Sequence, residues 1–214
     1  MKRDFAYAIF DMDGTLLDSM KYWRNLGRDY LLANGITPPS DLNKRMEAKT
    51  LEQAAEYFTS DLGLKKTIPQ VLQELDEQMA RHYREDVVCK PNAAEYLESL
   101  KKRGVKMCVA SATPGRLAMP ALTRLGLADC FLFFLDTLEA GLSKKNPYIY
   151  DLSAARLGGT RENTAVFEDA AYALETAFRA GYYTIGIQDA YAQLPPEQMK
   201  LICDEYWTGY PERS

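Results

Sequence analysis

The feature that most constrains the fold is a regular alternation of short apolar runs with helical segments. The runs are typical of buried strands and lie at residues 5–10, 105–110, 131–135, 164–167 and 183–187. Helical segments lie before and between the last four runs, at residues 92–103, 114–125, 147–157 and 170–180. Strands that alternate with helices predict a parallel sheet with right-handed crossover connections.

The stretch from Ser19 to about Asp86 interrupts this alternation, because it contains helical segments and no convincing strand. Its first helix is predicted from Met20 to Asn34, before Gly35. The predicted N-caps of the later helices are Ser40, Thr50 and Thr67. We therefore predict a core domain at residues 1–18 and 86–214, with an inserted helical cap domain at residues 19–85.

Composition narrows the functional classes. The chain has 214 residues and a net charge of −4, which argues against a dedicated nucleic-acid surface. Its four cysteines form no CxxC pair and His82 is the only histidine, so the sequence predicts no Cys/His metal cluster. The apolar run after the N-terminal MKRD is too short for a signal peptide or a membrane span, and a cytoplasmic location follows by default.

The most specific chemical signal is Asp11-Met12-Asp13-Gly14-Thr15, directly after the first predicted strand. Ligands of open α/β sheets bind at the carboxyl ends of strands. Two carboxylates at positions i and i+2 project differently once the strand becomes a loop, so one can attack a substrate while the other handles a proton. An Asp pair beside a glycine is also common in ordinary turns, so this segment needs support from the rest of the chain.

Three further polar features supply that support. Ser111 ends a predicted strand, and its hydroxyl together with free backbone N–H groups can hold an oxyanion. Thr113 is the predicted N-cap of the next helix, with a proline at the first helical position. Lys144 precedes another helix and can neutralise both a carboxylate and phosphoryl oxygens. Glu168 and Asp169 follow an apolar strand and can ligate a hard divalent ion, although Asp169 could instead cap the next helix.

These segments together resemble the four motifs of the haloacid dehalogenase superfamily. Their order and spacing match across nearly the whole chain. The matching segments are Asp11 to Ser19, Val109 to Thr113, Lys144 with Pro147 and Tyr150, and Val166 to Ala170 with Ala180-Gly181. The helical insertion after the first motif resembles the cap of the β-phosphoglucomutase-like subgroup. The resemblance implies an α/β fold in which a Rossmann-like parallel sheet core carries an inserted α-helical cap domain.

The resemblance also implies an activity, which is Mg²⁺-dependent hydrolysis of a small phosphomonoester such as a sugar phosphate. Asp11 is then the nucleophile that forms an aspartyl-phosphate, and Asp13 is the acid and base. The residues expected to bind the phosphoryl group are Ser111, Ala112 and Lys144. The expected Mg²⁺ ligands are Asp11, the backbone carbonyl of Asp13, and Asp169, with Glu168 nearby.

Three positions depart from the family pattern. Lys145 stands where the third motif often has proline, and we expect its side chain to be solvated. Ala170 and Ala173 stand where the fourth motif usually has serine and glycine. Loss of a serine hydroxyl next to the metal loop could weaken the hydrogen bonds that support the ligands.

Substrate specificity is expected to come from the inserted helices. The candidate positions are Trp23 and Lys49, with Tyr22, Arg24 and Met46 also considered. Trp23 and Tyr22 are also expected to pack within the cap, and Lys49 is somewhat more typical of a solvated surface lysine. The partner predicted for the chain is a small phosphorylated metabolite, without nucleic acid or membrane, and the chain is expected to be a monomer or weak dimer.

Several alternatives stay open. A phosphomutase of the same fold needs a cap that binds a second phosphate, and no clear basic pair for this occurs in the sequence. A dehalogenase of the superfamily would lack Asp13. A phosphonatase would need a Schiff-base lysine in the cap, for which Lys49 is the one candidate considered. A non-catalytic phosphate-binding protein would be favoured if Asp11, Asp13, Lys144 or Asp169 were replaced, and none is. A signalling receiver domain would be shorter and would lack both the helical insertion and Asp13 in this context.

Overall fold

The computed structural model describes residues 3–47 and 49–212. A single parallel sheet forms the centre of the larger unit, in the order β3-β2-β1-β4-β5-β6. Its strands are β1 (Tyr7–Phe10), β2 (Lys106–Ser111), β3 (Phe134–Asp136), β4 (Thr164–Glu168), β5 (Tyr183–Ile187) and β6 (Glu205–Trp207). This is the strand order of a Rossmann-like sheet, and it confirms the predicted fold class.

Helices connect the strands. Between β1 and β2 lie α1 (Met20–Ala33), α2 (Leu42–Met46), α3 (Leu51–Ser60), α4 (Ile68–Glu85) and α5 (Ala93–Lys102). The later helices are α6 (Gly115–Arg124), α7 (Thr137–Ala140), α8 (Tyr148–Leu157), α9 (Ala171–Arg179) and α10 (Pro196–Met199). Short 3-10 helices occur at Ala128–Cys130 and Arg161–Asn163.

The strand β1 is central because its residues are apolar on both faces. Ala8, Ile9 and Phe10 are fully buried, as a strand covered by helices on both sides requires. Phe10 stacks on Phe167 of β4, with the ring centroids 4.2 Å apart. The chain moves from β1 outward to β3 and then returns to β4 on the other side of β1. The order therefore reverses between β1 and β4, and ligands of such sheets bind at the carboxyl ends there.

The contacts divide the chain into two compact units. Of the described residues, those up to Ser19 and from Val87 onward form the sheet unit, and Met20–Asp86 form the helical unit. In the helical unit, α1 and α3 both pack on α4. Thr50 and Thr67 cap α3 and α4, each in a capping box with a glutamine at the third helical position, as predicted for these threonines.

Some predicted boundaries were wrong. Ser40 is not a cap, since Asp41 occupies the N-cap position of α2. The third strand starts at Phe134 rather than Phe131, because the chain first completes a 3-10 helix that ends at Cys130. The edge strand β6 was missed, since it is three residues long and only half-buried.

Thr113 was also assigned wrongly. Pro114 occupies the N-cap position of α6 and offers no side-chain hydrogen bond. The first N–H group of the helix, at Gly115, instead donates to the carboxylate of Asp136, 2.9 Å away. The hydroxyl of Thr113 is thereby left for a different contact.

In the part of the chain that the structure describes, no helix is long and apolar enough to cross a membrane.

Candidate active site

The carboxyl ends of β1, β2 and β4 bring the predicted site residues together. Asp11 follows β1, and its backbone N–H donates to the carbonyl of Phe167 in β4 at 2.9 Å. Ser111 ends β2, Glu168 ends β4, and Asp169 follows it. All four side chains are buried, although they are polar. Buried polar groups require partners, and the contacts among them define the site.

Lys144 lies at the centre of these contacts. It comes from the loop between α7 and α8, and its side chain is only 2% exposed. Its Nζ donates to Asp11 Oδ1 at 2.5 Å and to Glu168 Oε1 at 2.6 Å. An ammonium group has three N–H donors, so one donor remains beyond these two contacts. This lysine can therefore hold the Asp11 carboxylate and still bind an anionic ligand.

Glu168 is held from several sides. Its Oε2 accepts the backbone N–H groups of Asp169 and Ala170, at 3.0 and 3.1 Å. Its Oε1 accepts from Tyr150 Oη at 3.3 Å as well as from Lys144. Both oxygens of Glu168 therefore accept hydrogen bonds from neighbouring groups. Glu168 thus orients Lys144, a contact that sequence reasoning did not predict.

Asp169 has a different environment. It is not the N-cap of α9, because Ala170 occupies that position without a side-chain bond. Its Oδ1 accepts from the buried hydroxyl of Thr15, 3.0 Å away. Thr15 belongs to the segment that carries Asp11 and Asp13, so the end of β4 is tied to the loop after β1.

Burial and neighbouring charges shift the pKa values of the groups in this cluster. Burial and the charge of Asp11 raise the pKa of Glu168 to about 7, although Lys144 acts to lower it. Burial, followed by the charges of Asp11 and Glu168, raises the pKa of Asp169 well above its ordinary value. Burial alone would lower the pKa of Lys144, but Asp11 and Glu168 raise it well above its usual range.

This cluster fits a hard divalent cation. Oxygen atoms of Asp11, Glu168 and Asp169 lie within 4.8 Å of one another. When all three are ionised, Lys144 compensates one of three negative charges and a surplus of two remains. Mg²⁺ carries that charge and prefers carboxylate oxygen ligands. The donor chemistry and the charge therefore both match the ion expected from the sequence.

The side chain of Asp13 lies outside that group of ligand oxygens. Its Oδ1 accepts from Ser19 Oγ at 2.5 Å, and its Oδ2 accepts from Thr113 Oγ1 at 2.6 Å. Thr113 therefore fixes a carboxylate rather than capping α6. The side chains of the two aspartates therefore have different surroundings. Asp11 lies among the carboxylates that could bind a cation, whereas Asp13 is held by hydroxyl groups.

The predicted phosphate-binding residues lie at the end of β2. Ser111 is fully buried, and its Oγ accepts the backbone N–H of Thr113 at 3.0 Å. The O–H of Ser111 is a donor in addition to this accepted bond. Ala112 is exposed and lies in the bend between Ser111 and Thr113. A hydroxyl donor next to an exposed bend is suited to bind an anion.

Sequence reasoning missed the partners of the carboxylates more than the carboxylates themselves. Thr15 and Ser19 lie in the segment that resembles the first motif, yet no role was predicted for either. Tyr150 was noted only for its position after Lys144, but its hydroxyl contacts Glu168. Hydroxyl residues within a few positions of a strand-end aspartate are the signal that could have identified Thr15 and Ser19.

The three departures from the family pattern lie in different surroundings. Lys145 is exposed, which confirms the expectation that its side chain is solvated. Ala170 contributes its backbone N–H to Glu168, a contact that needs no side chain. Ala173 is fully buried in α9, and its carbonyl lies 3.4 Å from the hydroxyl of Tyr150.

The predicted specificity residues lie in the helical unit. Trp23 is half-buried, and its Nε1 donates to the hydroxyl of Tyr83 in α4 at 2.9 Å. Tyr22 stacks on His82 with ring centroids 4.4 Å apart, so both aromatic side chains pack within this unit as expected. Lys49 is exposed just before α3.

The raised pKa of Glu168 predicts how stability depends on pH. The folded protein keeps a proton on Glu168 that the unfolded chain has already released, so the metal-free protein should lose stability as pH rises from about 4.5 to about 7. A cation such as Mg²⁺ would bind the ionised carboxylates, so its stabilising effect should grow over the same range. Melting temperatures with Mg²⁺ and with EDTA at pH 5 and pH 8 test this, and we expect the difference to increase by a few degrees.

The matched variant is Glu168→Gln, which removes the titrating group. Its melting temperature should show a smaller change in the Mg²⁺ effect between the two pH values. An Mg²⁺ effect in the unmodified protein that is the same at pH 5 and pH 8 would contradict the raised pKa.

Comparison with known proteins identifies related sequences. The sequence profile of the haloacid dehalogenase-like hydrolases matches residues 6–181. A phosphorylated carbohydrates phosphatase of Thermotoga maritima is 30% identical over 176 residues, or 81% of each chain. The beta-phosphoglucomutase of Bacillus subtilis is 27% identical over 193 residues, which cover 84% of this chain and 82% of that one.

Solved structures support the fold. The crystal structure of CbbY from Rhodobacter sphaeroides in complex with phosphate has a TM-score of 0.77 and 18% sequence identity. The match covers 96% of this chain and 94% of that one. At this identity the likeness concerns the arrangement of strands and helices.

Proposed function

This chain belongs to the haloacid dehalogenase-like hydrolase family, and we propose that it hydrolyses a small phosphomonoester through a phosphorylated Asp11. The observation that carries the proposal is the position of Lys144, whose Nζ lies 2.5 Å from Asp11 Oδ1 in a buried carboxylate cluster. A fixed cation beside a buried carboxylate binds an incoming phosphoryl group without losing its hold on the nucleophile. The relatives named as phosphatase and phosphoglucomutase support phosphoryl transfer as the reaction class.

In the first half of the reaction, an Asp11 oxygen forms a bond to phosphorus while the bond from phosphorus to the leaving oxygen breaks. Asp13 gives a proton to that leaving oxygen. The third N–H of Lys144 and the O–H of Ser111 donate to phosphoryl oxygens, and the backbone at Ala112 lies beside them. These donors are already oriented by their own contacts, so little reorganisation is needed.

In the second half, Asp13 removes a proton from a water molecule, whose oxygen attacks phosphorus. The bond between phosphorus and Asp11 breaks and inorganic phosphate leaves, so Asp11 is again a carboxylate and Asp13 again carries the proton that it gives in the first half. The hydroxyls of Ser19 and Thr113 hold the two Asp13 oxygens, so the base has a defined orientation. Its separation from the cation-binding carboxylates lets one aspartate be a nucleophile while the other exchanges protons.

Mg²⁺ is the proposed cofactor. Asp11 and Asp169 would hold it together with the backbone carbonyl of Asp13, and Glu168 lies beside them. When bound, the ion reduces the repulsion between an anionic nucleophile and an anionic substrate. The surplus of negative charge in the cluster supports this assignment.

The test is release of inorganic phosphate from sugar phosphates, polyol phosphates and an aryl phosphate, measured with Mg²⁺ and with EDTA. We expect release that depends on Mg²⁺ and is lost with EDTA. Isomerisation of a sugar phosphate without net release would instead identify a phosphomutase. Release that EDTA leaves unchanged would contradict the proposed role of the ion.

The Asp13 contacts give a separate prediction. Thr113→Val keeps the shape of the side chain but removes the hydroxyl that donates to Asp13. A hydrogen bond to a charged group contributes about 1.5–3 kcal/mol, so kcat should fall by roughly 10- to 100-fold with little change in KM. Steady-state kinetics on an aryl phosphate and on a sugar phosphate provide the measurement.

The control is Thr123→Val, at an exposed position of α6. It should leave both kinetic constants near those of the unmodified protein. Equal kcat values for Thr113→Val and Thr123→Val would show that the Asp13 contact does not contribute to the reaction.

A further inference from the structure

Tyr150 occupies a place where packing alone would favour phenylalanine. It lies in the first turn of α8 and is only 1% exposed. Its ring packs in a cluster of buried apolar side chains that includes Ile9 and Leu135. A phenol hydroxyl buried among such side chains destabilises the fold unless it has a hydrogen-bond partner. Packing in this cluster therefore does not by itself account for the hydroxyl.

The hydroxyl of Tyr150 has two acceptors within reach. Its Oη lies 3.3 Å from Glu168 Oε1 and 3.4 Å from the carbonyl oxygen of Ala173 in α9. A hydroxyl has one hydrogen, so it donates mainly to one of them at a time. A charged acceptor forms the stronger hydrogen bond, which favours donation to the carboxylate of Glu168.

Tyr150 and Lys144 hold the same oxygen of Glu168. Lys144 Nζ donates to Oε1 at 2.6 Å, and the other oxygen, Oε2, accepts the backbone N–H groups of Asp169 and Ala170. Lys144 lies in the loop before α8, and Tyr150 lies in the first turn of that helix. The start of α8 therefore supplies two donors to one oxygen, while the backbone after β4 fixes the other oxygen.

We propose that Tyr150 is a positioning residue, which acts through Glu168 to hold the ammonium group of Lys144 against Asp11. This inference rests on the proposed function, in which that ammonium group binds both the nucleophile and the phosphoryl group. Lys144 Nζ lies 2.5 Å from Asp11 Oδ1, and a donor contributes most to the reaction when it is already in place. The hydroxyl of Tyr150 limits the rotation of the Glu168 carboxylate, and this in turn limits the movement of the ammonium group.

The first test is Tyr150→Phe, which keeps the ring and removes the hydroxyl. Phosphate release with Mg²⁺ should show a kcat that is lower by about 3- to 10-fold, with KM changed by less than about twofold. The expected loss is smaller than for Thr113→Val, because 3.3 Å is long for a hydrogen bond to a charged group. A kcat within about twofold of that of the unmodified protein would overturn the proposal.

A double-mutant cycle shows whether Tyr150 acts through Lys144. In the Lys144→Met background, Tyr150→Phe should change kcat by less than about twofold, because the ammonium group that it positions is absent. An equal fold-loss in both backgrounds would show that Tyr150 acts independently of Lys144, and would overturn the proposal.

Tyr182→Phe is the matched control. Tyr182 packs in the same cluster, with its ring centroid 6.1 Å from that of Tyr150, but its hydroxyl donates to Asp151 at 2.8 Å. Its loss should lower the melting temperature and leave kcat near that of the unmodified protein. The same pattern for Tyr150→Phe would show that its hydroxyl has only a structural role.

Melting temperatures of the metal-free proteins provide a readout that does not depend on activity. Tyr150→Phe should lower the melting temperature by a few degrees in the unmodified chain and by less than half as much in Lys144→Met. Tyr182→Phe should lower it equally in both. If the unmodified protein releases no phosphate, the proposed function fails, and the melting temperatures still decide whether Tyr150 holds Lys144. If phosphate is released but the losses for Tyr150→Phe are equal in the two backgrounds, this inference alone fails.

Discussion

Asp11→Asn is expected to reduce phosphate release by about 10⁴-fold or more. The amide is a poor nucleophile, and it also removes one of the three carboxylates grouped around the proposed cation site. The contact of Lys144 Nζ with Asp11 Oδ1 changes from an ion pair to an ordinary hydrogen bond. Initial rates with saturating Mg²⁺, on the best ester from the substrate panel, provide the measurement.

The control for Asp11→Asn is Asp4→Asn, at an exposed position before β1. It should keep full activity. Circular dichroism should show that both variants fold, since Asp11→Asn also relieves repulsion among the buried carboxylates. If Asp11→Asn kept more than about a hundredth of the activity, Asp11 could not be the nucleophile.

Lys144→Met has the second largest expected effect, because it alters both activity and stability. It removes the buried cation whose Nζ donates to both Asp11 and Glu168. Loss of a preorganised charge from a phosphoryl site should lower kcat by about 10²–10³-fold. Breaking a buried ion pair also destabilises a protein by about 3–5 kcal/mol, which urea unfolding of the metal-free protein can measure.

Lys145→Met is the matched control, because Lys145 is the exposed neighbour of Lys144. It should change neither the rate nor the free energy of unfolding by a measurable amount. The stability loss of Lys144→Met should shrink at low pH, where the raised pKa of Glu168 leaves that group neutral. Equal behaviour of the two lysine variants would contradict the central position of Lys144.

Much of the fold could be predicted from the sequence, because its signals are local. The strand β4 follows from a short apolar run, and the caps of α3 and α4 follow from Thr50 and Thr67. The edge strand β6 could not be found this way. It is short and half-buried, and its pairing with β5 depends on a distant part of the chain.

The active-site residues also divide into features that local sequence predicts and contacts that depend on distant parts of the chain. The strand-end positions of Asp11, Ser111 and Asp169 could be predicted, because parallel strands end at one edge of the sheet. The partners of these residues could not. Thr113 looked like a helix cap, but a carboxylate 100 positions away in sequence competes for its hydroxyl.

The roles of the charged residues were hardest to assign from sequence. Glu168 was predicted to lie near the cation, but its hydrogen bonds also fix Lys144. Such a contact depends on how far a loop lysine reaches into the core, and 24 residues separate the two in sequence. Local patterns therefore identify the chemical groups, while long-range packing decides which groups meet.

The measurement that tests the central claim most directly is detection of phosphate bound covalently to Asp11. An aryl phosphate, whose leaving group needs no proton, should phosphorylate Asp13→Asn, and the missing base should slow hydrolysis of the intermediate. After acid quench, mass spectrometry of the tryptic peptide Asp4 to Lys21 should show the added mass of one phosphoryl group on Asp11, removed by hydroxylamine. Aryl alcohol release without any adduct on this peptide, or with the adduct on another residue, would contradict the account.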